Sequence, residues 1–340
     1  VSALRRSGRF GMAGLAVPEL YEHSTIRRLA AHLESSGPDR GSGDTAEAVA
    51  ARRPPRPSTG RIVAFGLGQL AWIVLFVAVA MLPIGVIYAL NEGEPSIAML
   101  VELMLSVPVS YLVSRWGLPT LAAVLFGRRI EEGAHPLYGL MHLRVWIVTR
   151  AMSLSPMPRL AGSPYANTYL RWCGAEVAAS AHLGTAEIPL PSLITVDANA
   201  TVGYATHLAG YEIHGGWLHI GRIVVGRHAM VGANAVLAPG ARVGAHGVLG
   251  DQSLLPQGVR VPAREWWDGS PAARGAREAD PVVGEMLTCP RAPTTWGGPQ
   301  RQRFLLSIAA LELLPMGALV PAVVLVWTML MSFDHMAALW

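Results

Sequence analysis

Residues 225–261 read VGRHAMVGANAVLAPGARVGAHGVLGDQSLLPQGVRV. Within that stretch Val225, Val231, Leu237, Val243, Leu249, Leu255 and Val261 recur every six residues without a break. Glycine follows the aliphatic residue at 226, 232, 244 and 250, with Ala238 in the remaining early repeat. Four positions after each aliphatic residue stands a small one: Ala229, Ala235, Ala241, Gly247 and Ser253. A helix repeats every 3.6 residues and a strand every two, so neither produces a period of six. A stack of short parallel strands does. Three hexapeptides then make one triangular coil, with the aliphatic residue pointing inward on each side and the small residue fitting the corner. The expected fold is mainly β: a left-handed parallel β-helix of hexapeptide repeats over residues 171–275, combined with transmembrane α-helices.

The period extends backwards through Leu190, Val196, Val202 and Leu208, and more weakly through Val177 and Leu183. It breaks between Leu208 and Val225, which are 17 residues apart. The intervening GYEIHGGWLHIGRIV holds a Gly-Gly pair, Trp217 and two histidines. A loop must leave the coils there, and in a quasi-one-dimensional fold such loops usually carry the function.

The flanks are of a different kind. Hydrophobic residues make up 51% of the 340 and charged ones only 15%, which directs attention to membrane spans. Ile62–Leu90 carries no charge, and Ile97–Gly127 returns after the short acidic loop NEGEPS. Together they predict two transmembrane helices over 62–127, and a third is expected over 304–333. Arg52, Arg53, Arg56 and Arg61 precede the first span, Arg128 and Arg129 follow the second, and Arg301 and Arg303 precede the third. All of them belong on the cytoplasmic side, which makes the coils cytoplasmic and the chain a multi-pass protein of the plasma membrane. Residues 128–170 mix apolar side chains with Arg144, Arg150 and Arg159 and read as an interfacial amphipathic segment carrying Trp146. Residues 1–35 read as a small helical remnant, 36–61 as a disordered linker rich in Pro, Gly and Arg, and 276–303 as a second linker.

The net charge is +4, and the basic residues are all Arg, set mostly beside apolar runs. That pattern fits membrane topology rather than nucleic acid. The absence of Lys, with heavy use of Ala, Gly, Pro and Arg, is what a GC-rich bacterial genome produces. Cys173 and Cys289 stand far apart without a CxxC partner and offer neither a disulfide framework nor a zinc site. The N-terminal VSALRRSGRFGMAG has no signal-peptide core.

The repeat resembles the hexapeptide acyltransferase superfamily, which moves acyl groups from coenzyme A or a carrier to an amine or hydroxyl. More specific are LAGSPYANTYLRWCGAEV (160–177), GGWLHIGRIVVGRHAMVGANAVLAPG (215–240) and WWDGSPA (266–272). With helices on either side, these look like the terminal region of membrane-bound nonribosomal peptide synthetases of the ε-poly-lysine synthetase type. GLAVPELYEHSTIRRLAAHLES (14–35) looks like the last helices of a carrier protein. The resemblance implies a fragment, since the motif bearing the phosphopantetheine serine and the adenylation motifs are not in this chain. It further implies that an aminoacyl group on a phosphopantetheine carrier is joined to an amine. The implied partners are membrane lipid, the carrier and adenylation domains of the same synthetase, and the amine acceptor. Hexapeptide solenoids often trimerise, so a homo-oligomer is a further expectation.

Amide formation from a thioester needs a base for the amine and a site for the oxyanion, and His is the natural base near neutral pH. His207, which ends a hexapeptide at the loop mouth, ranks first, followed by His214 and His219, with His228 nearby. Asp197 is a candidate to orient a histidine, and Gly232 and Asn234 are candidates to meet a pantetheine arm. The competing reading makes each of these a solvated loop or corner residue. No histidine spacing imposes metal-ligand geometry, and no metal is expected. Glu102, Arg115 and Glu312 fall inside the spans, where charges are costly, and an Arg115–Glu312 contact is geometrically feasible. Three functions follow: transfer of a carrier-bound aminoacyl group to an amine, an acyltransferase using soluble acyl-CoA, or a noncatalytic scaffold within a membrane synthetase.

Overall fold

A computed structural model describes Arg27 and residues 56–92, 96–275 and 296–337. The expected carrier remnant (Arg27 apart), most of the 36–61 linker and residues 276–295 lie outside the described residues.

The hexapeptide aliphatics form the interior. All thirteen, from Val177 to Val261, are at most 5% exposed. The strands are only two or three residues long and fall into three parallel sheets. One sheet holds Glu176–Val177, Ile194–Val196, Ile223–Val225, Arg242–Val243 and Arg260–Val261. A second runs through His182–Leu183, Thr201–Val202, Met230–Val231, Val248–Leu249 and Trp266–Asp268, with an antiparallel edge at Ala273–Arg274. The third holds His207–Leu208, Val236–Leu237 and Leu254–Leu255. Val231 pairs with Leu249, Leu237 with Leu255 and Val243 with Val261, a stagger of 18 residues in every case. Like therefore stacks on like, three hexapeptides apart.

Corners need backbone that turns sharply. His228, His246 and Arg264 occupy one column of corners, all at φ between 56° and 62°. Asn234 and Gln252 occupy another, both at φ 54°. Residues at these φ values are in the left-handed region, which Asn tolerates better than most. At the end of the stack Trp267 pairs with Leu249 and is packed against the aliphatic column.

The other end is plugged by helices. We label as α1 Thr59–Leu90 and as α2 the continuous helix Ile97–Gly127, with π-helical turns at Val113–Gly117 and Ala123–Gly127. Then come α3 Leu140–Ser153, α4 Met157–Leu160, α5 Pro164–Trp172 and α6 Gly298–Ala337. Part of the segment 128–170, expected to be interfacial and amphipathic, is buried against the rest of the protein. Val145, Val148 and Met152 of α3, Leu160 of α4 and Leu170 of α5 join the same buried cluster as the hexapeptide aliphatics. Val145, Val148 and Met152 give α3 an apolar stripe that packs towards α2, while α5 lies against the first strands of the stack, Glu176–Val177 and His182–Leu183.

Among the described residues three helices are long and apolar enough to cross a membrane: Thr59–Leu90, Ile97–Gly127 and Gly298–Met329. The apolar side chains of α1 are exposed around the helix, from Leu70 and Val74 to Leu82 and Val86. At the turn between the first two, Asn91 Nδ2 donates to Glu102 Oε2 at 2.9 Å. Glu312 of α6 is 2% exposed. Its Oε1 meets Arg115 Nε at 2.9 Å and also accepts from Arg159 Nη1, while Tyr111 donates its hydroxyl to Oε2 at 2.9 Å. The spacing of the sequence made the Arg115 contact feasible without selecting it. The Arg159 contact was not expected, and it fastens α6 to the segment that plugs the stack.

His142 of α3 stacks on Phe65 of α1 at 4.6 Å between centroids, and its Nδ1 accepts from the Tyr138 backbone N–H. Burial lowers its pKa from the ordinary 6.5. A depressed pKa favours the neutral ring in the folded state, so its contribution is complete above pH 6.5 and is lost as pH falls below that value. The thermal midpoint in detergent is expected to fall as pH drops from 7 to 5, and to fall less in His142→Phe. Glu312→Ala, which leaves two partly exposed guanidinium groups without their shared anion, is expected to cost about 1–3 kcal/mol. The midpoint should drop well below that of Glu312→Gln; equal midpoints in all three proteins would show the cluster to be inconsequential.

Candidate functional site

The break in the period is a β-hairpin. Tyr211–His214 and Trp217–Ile220 pair antiparallel through Gly215 and Gly216, at φ 58° and 82°. Two positive-φ residues in a two-residue loop match the right-handed twist of the flanking strands. Across the break Val196 pairs with Val225, Val202 with Val231 and Leu208 with Leu237. The hairpin is thus extruded and the ladders resume in register. A third strand, Gly133–Pro136, arrives just after α2 and pairs with Trp217–Ile220, giving a small outer sheet. The base of the hairpin is pressed against a corner: a Cβ at Gly221 would lie 2.4 Å from the Gly240 nitrogen.

Paired residues in a sheet share a face. His219 stands opposite Glu212 and Ala134, and His214 opposite Trp217, so the two histidines share one face of the hairpin, diagonally placed. Leu218 and Ile220 face the other way and are buried. His219 Nδ1 is 3.4 Å from Gln257 Nε2, on the coil that the hairpin overlies. His214 is exposed.

His207 lies at the edge strand of the third sheet, half-exposed, with Nδ1 3.9 Å from Glu187 Oε2. Glu187 also holds this strand through its backbone carbonyl, which accepts from Leu208 N. At that separation the two side chains are exposed neighbours, too far apart for a direct hydrogen bond. Glu187 did not stand out in the sequence because it lies outside the strict repeat, between Leu183 and Leu190, which are seven residues apart rather than six. Asp197, proposed for the orienting role, is exposed, and no hydrogen bond joins it to a histidine among the described residues. His228 stacks on His246 at a corner, with centroids 4.9 Å apart.

The two residues expected to meet a pantetheine arm differ. Gly232 is committed to the fold: its N–H donates to Leu249 O, its carbonyl accepts from Thr206 Oγ1, and a Cβ there would lie 2.4 Å from Asp251 Oδ1. Asn234 is a corner residue whose exposed side chain bonds to nothing else among the described residues, so it remains available to a ligand. Among the described residues no group of three His, Cys, Asp or Glu side chains is placed to hold a metal. Cys173 is buried, and that burial pushes its thiol up to about 11, which makes it a packing residue rather than a nucleophile.

A six-residue repeat, three parallel sheets and an extruded hairpin define a hexapeptide-repeat stack of short parallel strands joined to apolar helices. Over 214 residues, 62% of its length, the chain is 28% identical to a delta-poly-L-ornithine synthetase of Acinetobacter baumannii, of which it spans 16%. No family model matches. Solved structures similar to parts of the chain include a hexapeptide-repeat acetyltransferase from Vibrio cholerae, 22% identical, covering 24% of this chain and 49% of that one at a TM-score of 0.23. A maltose O-acetyltransferase from Clostridium difficile is 14% identical, covering 51% and 94% at a TM-score of 0.26. An N-acyltransferase from Bacillus cereus, solved with 3-hydroxybutyryl-CoA, is 14% identical, covering 28% and 69% at a TM-score of 0.21.

Because Gly232 has no room for a side chain, Gly232→Ala is expected to destabilise the protein by about 1–3 kcal/mol. A lower thermal midpoint with unchanged substrate affinity in the surviving folded protein would confirm a packing role. A normal midpoint with weakened affinity would return Gly232 to the binding site.

Proposed function

We propose that this chain is part of a membrane-bound peptide synthetase in which the hexapeptide domain passes an aminoacyl group from a carrier thioester to an amine. In this reading the three sheets are the faces of a left-handed parallel β-helix. The apolar helices cross a bacterial plasma membrane, and the arginines at their ends hold the β-helix on the cytoplasmic side. The observation that carries the chemistry is His207 beside Glu187, on rigid strand next to the extruded hairpin. His207 Nε2 takes a proton from the acceptor amine as its nitrogen attacks the thioester carbonyl. A C–N bond forms, the C–S bond breaks, and the proton passes to the departing pantetheine sulfur. Glu187 supports the imidazolium that exists between those transfers, and Asn234 is within the part of the stack available to the pantetheine arm. A carrier tethered to the same chain would keep its thioester at high effective concentration near this site.

Single-turnover amide formation, measured with an aminoacyl-loaded carrier and an amine acceptor, tests the reading. His207→Ala is expected to lower the rate by about 10²–10⁴-fold, and Glu187→Gln by less. The same assay with soluble aminoacyl-CoA separates carrier from coenzyme: turnover with CoA alone would favour the free-standing acyltransferase. An unchanged rate in a His207, His214 and His219 triple alanine variant would leave the domain as a scaffold.

A further inference from the structure

Where α1 meets α3 there is a cavity of about 340 Å³ with an almost wholly apolar lining. Trp72, Ile73 and Phe76 line it from α1, Trp146 and Arg150 from α3, and Leu154 from just past the end of α3. Two observations identify what belongs there. The first is depth. A bilayer core spans about 20 helical residues. Counted from the polar turn at Asn91 and Ser96, about 20 residues return to Trp72 on α1 and to Trp116 on α2. The cavity therefore brackets the boundary between headgroups and hydrocarbon, where indole rings concentrate. The second is charge. Arg150 is exposed and its guanidinium has no hydrogen-bond or ion-pair partner among the described residues. Arg115 and Arg159 are engaged by Glu312 and Arg144 by the Arg129 carbonyl. The guanidinium groups of Arg61, Arg128 and Arg129 are also unpaired among the described residues, but Arg150 is the arginine that lines the cavity. An unpaired guanidinium at the bilayer boundary favours a phosphate oxygen, and an apolar cavity beside it favours hydrocarbon.

We infer that this cavity is a binding site for one anionic phospholipid, with an acyl chain against Trp72, Phe76 and Trp146 and the headgroup phosphate on Arg150. The inference rests on the reading that α1 crosses a membrane. A bound lipid there fills the gap between the first span and α3, so the lipid becomes part of the contact between those two helices.

The test uses the full chain expressed in membranes. Alkaline carbonate extraction comes first: release of the chain would overturn the membrane reading and the lipid site with it. For a retained chain, native mass spectrometry in detergent follows stepwise addition of phosphatidylglycerol or phosphatidylcholine. The expected result is one phosphatidylglycerol that survives activation strong enough to strip all other lipid. Arg150→Gln should weaken its binding about fivefold, the effect of one surface arginine on an anionic lipid. Ile73→Trp, which fills the cavity from an exposed helix position, should remove the one-to-one species. A retained chain with no such species, or equal binding by both variants and the unaltered protein, would overturn the lipid site alone. So would equal retention of phosphatidylcholine, or displacement by millimolar inorganic phosphate.

Discussion

The structure depends on a single constraint: an aliphatic side chain at every sixth position must land on the same interior line 18 residues later. Short strands bury little each, so the interior is stable only because each aliphatic residue rests on its equivalents above and below. The same constraint sets the glycines. A Cβ at Gly203 would lie 2.7 Å from Ala233 N, and one at Gly232 would strike Asp251. Side chains at those positions would hold adjacent turns apart and break the ladders on which the interior depends.

A fold bound by such a register admits an insertion only by pushing it out of the stack. That is what happens between Leu208 and Val225, where Gly215 and Gly216 turn the chain and the aliphatic pairing resumes beyond. The extruded hairpin gains its own support from the strand 133–136, which follows directly on α2. The hairpin is consequently tied both to the stack and, through strand 133–136, to the end of the apolar helix α2. His207 and Glu187 stand where the stack meets this insertion, on elements whose positions the ladders dictate.

The joint between the helices and the stack rests on burial and on one carboxylate. Glu312 gathers Tyr111 and Arg115 from α2 and Arg159 from the plug, so three elements remote in sequence share one anion. Removing this buried carboxylate would leave two partly exposed cations close together without their shared anion. The π-helical turns of α2 fall in the same region, and Arg115 sits within one of them.

The six-residue period determined the strand stacking by itself, because a strict repeat leaves few geometries in which every aliphatic residue is buried. Uncharged runs likewise determined which helices are apolar enough for a bilayer. The hairpin was legible in principle: Tyr-Glu-Ile-His and Trp-Leu-His-Ile alternate around a Gly-Gly pair, yet its partner strand 133–136 is too short and too remote to be read. Within the site, His207 could be placed from the repeat, whereas Glu187 could not, since its proximity follows from one residue inserted between Leu183 and Leu190. The packing of α5 against the first strands of the stack, and Arg159 on Glu312, were decided only in three dimensions. Sequence periodicity specifies neighbours along a regular axis, but contacts at its ends join elements with no common period, and only burial and charge pairing between them select the partner.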